Sequence, residues 1–281
     1  MSQPGKSTTT IAQRDYLREH LRQVPAFRAL VRSVECRLFA QSSAQIGGFA
    51  EPVLDVGCGD GLFASLAFSQ PLFAGIDPNE ASLREARGGV NGLGAHRHLL
   101  AASATALPFP DQFFNTVVAN CVIEHIPNLE GTLSEVFRVL RPGGRFLFGV
   151  PSHRFADMLL VPTVFRACGL SSFAKAYGDW FNRHSRHFHT YDPSHWKRLL
   201  AAHEFQVEHW EYYLTAAAHR AFDVAHYLSL PRLVSRKLTG KWVAFPNPVS
   251  DYLFESWLRP HYERLPSQEG PYIFFHAQKL N

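Results

Sequence analysis

Four cysteines among 281 residues is a small number, and Cys36, Cys58, Cys121 and Cys168 stand too far apart to form a C-x-x-C pair. That spacing speaks against a zinc knuckle or a disulfide framework, and reduced thiols in a cytoplasmic setting are the expectation. A strong charge of one sign is also missing. Twenty-eight Lys and Arg face 24 Asp and Glu, and the surplus of +4 is too dispersed to track a nucleic-acid backbone, so no nucleic-acid partner is expected. No uninterrupted apolar run reaches the roughly 18 residues of a spanning helix, and the first residues carry no apolar signal segment. Repeats and low-complexity tracts are absent. Gly5-Lys6-Ser7 has the tail of a phosphate loop without its upstream glycine and strand, and reads as a disordered leader.

What the chain does have is 46% apolar residues, enough to bury a substantial core. From Leu17, apolar residues recur at Leu21, Val24, Phe27, Val31, Val34 and Leu38 in helical steps, with Pro25 expected to start a new segment or kink the helix. Arg14, Arg18, Arg22, Arg28, Arg32 and Arg37 fall largely off that stripe and read as a solvated side. Residues 1–50 are therefore expected to be a leader and helical arm, and residues 51–281 the main domain.

After Gly47-Gly48 the texture alternates between short β-prone runs and helical stretches, which predicts an α/β fold with a mostly parallel sheet covered on both faces. Strands are expected near Pro52–Val56, Phe73–Asp77, Ala95–Ala101, Thr116–Asn120, Arg145–Val150, Gln206–Leu214 and Tyr272–Gln278. Helices are expected at Gly61–Phe68, Glu80–Gly88, Leu129–Leu140 and Pro193–His203, and Arg141-Pro142-Gly143-Gly144 reads as a helix stop and tight turn. Ser152–Thr190 and Ala216–Gly270 are far longer than ordinary connections, so they are expected to be inserted lids over one end of the sheet.

The strongest chemical signal is Glu51-Pro-Val-Leu-Asp-Val-Gly-Cys-Gly-Asp-Gly61, a strand ending in an acid and entering a glycine-rich turn before a helix. Such a turn lets a ligand approach the backbone, and the helix start supplies unpaired N–H donors. Asp77 ends the next strand, where a carboxylate suits a vicinal diol. Leu62 occupies the position at which a dinucleotide fingerprint needs glycine, and no Tyr-x-x-x-Lys pair occurs, so a dinucleotide oxidoreductase is the weaker alternative.

Together, V-L-D-V-G-C-G-D-G, G-I-D-P-N, A-L-P-F-P-D-Q-F-F-N-T-V-V-A-N and L-S-E-V-F-R-V-L-R-P-G-G-R-F-L-F resemble the class I S-adenosylmethionine (SAM)-dependent methyltransferases. The pattern is similar to the small-molecule branch with the ubiquinone and menaquinone C-methyltransferases, strongly over Pro52 to Val150 and weakly beyond. The resemblance implies a Rossmann-like seven-stranded sheet with the last strand antiparallel, SAM as donor and S-adenosylhomocysteine as product. It implies that Asp55, Gly57, Cys58, Gly59, Asp60 and Gly61 line the methionine end, with Asp55 near the ammonium. Asp77 would hold the ribose, with Pro78 beside the adenine. Many relatives carry an Asp where this chain has Ser103, so adenine recognition falls to the Ser103 hydroxyl or the Ala104 backbone. Asn120 and Cys121 would face the reacting centre.

An activated methyl needs an acceptor brought in line and water kept out, and a neutral acceptor must also lose a proton. His125 in Val-Ile-Glu-His-Ile-Pro is the first candidate base; His187, His189 and Tyr191 are candidate acceptor contacts. His184-x-x-His187-x-His189 has no accompanying acidic cluster, and only Glu124 lies near the fourth strand, so no metal is expected. The aromatic second lid suits a small-molecule or lipid-like acceptor. Arg220, Arg232, Arg236, Lys237 and Lys241 among its apolar positions suggest peripheral membrane contact, which liposome flotation would test. A SAM-binding partner subunit without turnover is the other alternative. The acceptor atom and the oligomeric state are left open.

Overall fold

Seven strands form where the alternation places them: β1 (Val53–Val56), β2 (Leu72–Asp77), β3 (His96–Ala101), β4 (Phe114–Asn120), β5 (Leu140–Pro151), β6 (Phe205–Tyr213) and β7 (Tyr272–Lys279). The computed structural model describes residues 14–88, 94–239, 247–264 and 268–280. Gly5-Lys6-Ser7, Lys241, Trp242 and Phe245 lie outside the described residues. Helices are α1 (Tyr16–Leu21), α2 (Ala26–Gln45), α3 (Leu62–Ala67), α4 (Glu80–Gly88), α5 (Leu129–Val139), α6 (Leu160–Ala167), α7 (Ser171–His184), α8 (Pro193–Ala202), α9 (Ala216–Leu228), α10 (Leu230–Thr239) and α11 (Pro248–Glu263).

The strands make one sheet in the order β3-β2-β1-β4-β5-β7-β6. Pairing is parallel from β3 to β5, and β7 runs antiparallel to both β5 and β6. Strand order reverses between β1 and β4, so their carboxyl ends open a crevice of the kind that receives ligands in such sheets. β1 is buried at every position, as a central strand covered on both faces must be. β5 starts earlier than expected, because Leu140 already pairs with Phe114 ahead of the register shift.

The described amino-terminal residues are helical, and Pro25 separates α1 from α2, which packs along the sheet. Leu30, Cys36, Leu38 and Phe39 are buried in the same core as Val53, Val118 and Leu147, and the Phe39 ring meets Phe274 edge-on at 5.0 Å. α2 thus covers one face of the sheet, whereas Val136, Trp196 and Leu200 of α5 and α8 cover the other. The arginines are not simply solvated. Arg14 donates to the Leu66 carbonyl at 2.9 Å, and Arg32 to Glu35 at 2.8 Å and the Asn120 carbonyl at 3.1 Å.

The two insertions are helical, as expected. α6 and α7 occupy the first, α9, α10 and α11 the second, and Asp223 of α9 accepts from the Leu160 amide at the start of α6. Val249, Tyr252 and Leu253 of α11 and Leu238 of α10 leave apolar side chains exposed.

Burial also sets how the fold responds to acid. His20 donates Nδ1–H to the Tyr16 carbonyl at 2.7 Å, and burial pushes its pKa down to about 4. His219 is buried against the Phe155 carbonyl and pushed down to about 3. Below about pH 6.5 the unfolded chain takes up protons that these rings refuse, so stability is full above that pH and declines as the pH falls toward 4. His20 alone accounts for up to about 3 kcal/mol. Urea midpoints at pH 7.5 and 5.0 should show the decline, and His20→Gln should reduce it.

Candidate functional site

The crevice at the β1–β4 switch point is walled by three adjoining cavities. The first, of about 280 Å³, is lined by Asp55, Gly57, Cys58, Gly59, Asp60 and Asn120 from the sheet side and by His20, Arg28 and Arg32 from α1 and α2. The second, of about 330 Å³, is lined by Gly57, Asp77, Pro78, Ser103, Ala104, Cys121 and His125 among others. Gly57 belongs to both, so the two form one bent trough across the glycine turn. The third, of about 210 Å³, is lined by Phe27, Val31, Phe222 and Tyr272 together with Arg28, Arg32, Cys121, Glu124, His125 and His187. Cys121 and His125 join it to the trough.

The glycine turn is shaped by close approach. Gly57 has φ +72°, and a Cβ there would lie 2.4 Å from the Val122 side chain. Gly59 has φ +55° with nothing within 4 Å of a Cβ. Gly61 is the N-cap of α3 in the left-handed region. Asp77 is held by the turn it faces: Oδ2 accepts from the Gly59 amide at 3.1 Å and Oδ1 from the Asn79 amide at 2.8 Å. Each oxygen keeps a further lone pair for a ligand hydroxyl. Ser103 is engaged with the Thr105 hydroxyl at 2.8 Å and the Thr105 amide at 3.2 Å, which leaves the Ala104 backbone as the better recognition element at that wall.

Sequence reasoning missed the residues that hold Asp55, Asn120 and Cys121 from beneath the trough: His96, Glu35 and Tyr213. Asp55 Oδ2 bonds His96 Nε2 at 2.8 Å with both side chains buried, and a side chain at Gly75 would collide with that imidazole at 2.7 Å. Glu35 is 1% exposed and receives four donors: Arg32 at 2.8 Å, Asn120 Nδ2 at 2.8 Å, Tyr213 OH at 2.9 Å and the Cys121 thiol at 3.1 Å. Cys121 itself sits at φ +51°, directly after β4. Asn120 Oδ1 is buried and has no hydrogen-bond partner among the described residues. A buried charge on an otherwise apolar helical stripe, at Glu35, was the one available signal.

His125 closes a single 3₁₀ turn (Ile123–His125) after β4. Its Nδ1–H donates to the Arg186 carbonyl at 3.2 Å, so the Nε2 lone pair is the one left over. Burial lowers its pKa, as it does for His187, which is pushed down to about 4. Glu124 beside them is pushed up to about 8 by burial and is protonated at neutral pH. His189 and Tyr191, by contrast, line none of the three cavities. His189 bonds the Ile126 carbonyl at 2.9 Å and the Tyr191 hydroxyl at 3.1 Å, and Tyr191 stacks on His195. These contacts fasten the returning loop to the segment after β4.

Known proteins similar to this chain are methyltransferase-like in sequence over its central part. Residues 54–148 match the methyltransferase domain family. A ubiquinone/menaquinone biosynthesis C-methyltransferase of Bartonella bacilliformis is 36% identical over 101 residues, 34% of this chain and 39% of that protein. A sterol 4-C-methyltransferase of Caenorhabditis elegans is 33% identical over 97 residues, 34% of this chain and 29% of its own length. A fatty-acid O-methyltransferase of Mycolicibacterium smegmatis is 36% identical over 116 residues, covering 40% and 41%. The match therefore spans under half of each of these relatives. Among solved structures, the [4+2]-cyclase SpnF superposes with TM-score 0.57 at 18% identity, covering 88% of this chain and 82% of its own. YcgJ of Bacillus subtilis gives 0.51 at 18%, covering 88% and 98%. At those identities the likeness concerns the fold.

Proposed function

We propose that this chain, whose residues 54–148 form a class I SAM-dependent methyltransferase domain, transfers a methyl group from SAM to a small-molecule or lipid-like acceptor. The observation that carries the reading is the continuity, through Cys121 and His125, of the glycine-and-carboxylate trough with a cavity that pairs an aromatic and aliphatic wall with titratable groups. The residues fit the donor. Asp77 presents two anchored carboxylate oxygens to a ribose, the space over Gly59 admits close approach, and Asn120 Oδ1, unpaired among the described residues, is an acceptor suited to an ammonium group. When bound, SAM supplies a methyl already activated on a sulfonium.

The chain's own work is positional. Asp55, fixed by His96, and Asn120, fixed by Glu35, hold the methionine end, with Cys58, Asp60 and Gly61 completing the turn. Asp77, Pro78 and Ala104 hold the nucleoside. Phe27, Val31, Phe222 and Tyr272 keep water from the acceptor side, which raises the reactivity of the paired groups. His125, neutral and with Nε2 available, accepts the proton of a neutral acceptor, and His187 contacts that acceptor. Relatives named for quinone biosynthesis, sterols and fatty acids agree with the aromatic and aliphatic part of the cavity wall. Peripheral lipid contact through exposed Val249, Tyr252 and Leu253 belongs to the same reading.

Calorimetric titration with SAM and S-adenosylhomocysteine tests it. Saturable binding of both is expected, and Asp77→Ala should weaken it roughly 10- to 100-fold, the value of charge-assisted hydrogen bonds. A folded chain that binds neither compound refutes the proposal.

A further inference from the structure

Spacing along the chain offered no reason to group Glu124 with His187, yet the fold brings Glu124, His125 and His187 together with one donor atom each within 4.8 Å of one another. The convergence is built, because the returning loop is stitched to the turn after β4 at three places. His125 Nδ1 donates to the Arg186 carbonyl, the Phe188 amide donates to the Glu124 carbonyl at 2.8 Å, and His189 bonds the Ile126 carbonyl. His187 is thereby pinned opposite Glu124.

Each imidazole is also oriented by an oxygen on its far nitrogen. His125 Nδ1 faces the Arg186 carbonyl, and His187 Nδ1 faces Asn182 Oδ1 at 3.4 Å. That is the outer arrangement that metal-ligating histidines use to fix tautomer and ring direction, and it leaves the Nε2 lone pairs to ligate. His125 Nε2 lies 3.6 Å from Glu124 Oε1. Glu124 is 1% exposed, and among the described residues its buried Oε2 has no hydrogen-bond partner, an acceptor that a bound cation would satisfy. All three residues line the third cavity. Arg32 lines it too, but its charge is paired with Glu35 at 2.8 Å, and Arg28 on the same wall has an interaction of its own.

We propose that Glu124, His125 and His187 form a binding site for one divalent first-row cation of the Zn²⁺ or Co²⁺ class, with coordination positions left open to that cavity. Two imidazoles and one carboxylate suit that class over Mg²⁺ or Ca²⁺, which prefer all-oxygen shells. The inference rests on the methyl-transfer reading only in placing the acceptor: a cation there would anchor an oxygen-bearing acceptor, and the His125 lone pair would serve as ligand in place of proton acceptor.

Chelator-treated protein titrated with Co²⁺ alone, followed by calorimetry and visible absorption, tests the site. One equivalent bound with ligand-field bands is expected. Glu124→Gln, which keeps side-chain shape, and His187→Ala should abolish the bands, Asn182→Ala should weaken binding roughly 10-fold, and His184→Ala should change nothing. Retained S-adenosylhomocysteine binding shows that the variants are folded. No stoichiometric uptake by the parent chain, or unchanged bands in Glu124→Gln and His187→Ala, overturns the site. Cobalt uptake without S-adenosylhomocysteine binding supports it while removing the methyl-transfer reading.

Discussion

Gly57→Ala is expected to abolish SAM binding and to destabilise the fold, while Gly59→Ala is expected to leave a folded chain with weakened SAM affinity. Both glycines have positive φ, so both substitutions carry the backbone cost of about 1 kcal/mol. What separates them is space. The new methyl at position 57 would sit 2.4 and 2.5 Å from the two Val122 methyls, so the turn and the segment after β4 must move apart. At position 59 it would enter open space, in the wall of the trough where the donor is proposed to lie. Thermal unfolding and SAM calorimetry on the two variants should therefore split stability from affinity. Equal melting temperatures for Gly57→Ala and the parent chain would contradict the described turn.

The second large effect is expected at Glu35. Glu35→Ala strands the Arg32 guanidinium and leaves Asn120, Tyr213 and Cys121 without their common acceptor. Breaking a fully buried ion pair from one side costs about 3–5 kcal/mol; because the Arg32 side chain is 26% exposed, the loss should lie at or below the lower end of that range, several degrees in melting temperature for a chain of this size. Replacing the pair together, Arg32→Met with Glu35→Leu, should cost less than Glu35→Ala alone, because no charge is then left buried. Chemical denaturation of the three chains checks the order.

The sheet was legible because its signals are local. Val53–Val56, His96–Ala101 and Tyr272–Lys279 each fall within a residue or so of the expected runs, since β-prone composition and flanking turns are read within one window. The trough was legible for the same reason: Asp55, Gly57, Gly59 and Asp77 sit at strand ends that the pattern defines. Glu35, Arg32 and His96 were not, because their partners are remote. Tyr213 is 178 residues from Glu35, and Asp55 is 41 from His96. An arginine and a glutamate one helical turn apart look like ordinary solvated residues until the sheet end they meet is in place. The bond from His189 to the Ile126 carbonyl was equally illegible, since a histidine that fastens a loop and one that faces a cavity have the same spacing.

The strand order has a consequence for how the chain assembles during synthesis. Among the described residues β6 pairs with β7 alone, and β7 is made some sixty residues after it. While α9 to α11 are being translated, β6 must wait beside an unfinished sheet, with the β5 edge exposed as a template for foreign strands. A nascent chain stalled before residue 272 should therefore be the aggregation-prone species and the natural client of a chaperone, whereas β1 to β5 can already be paired on the ribosome.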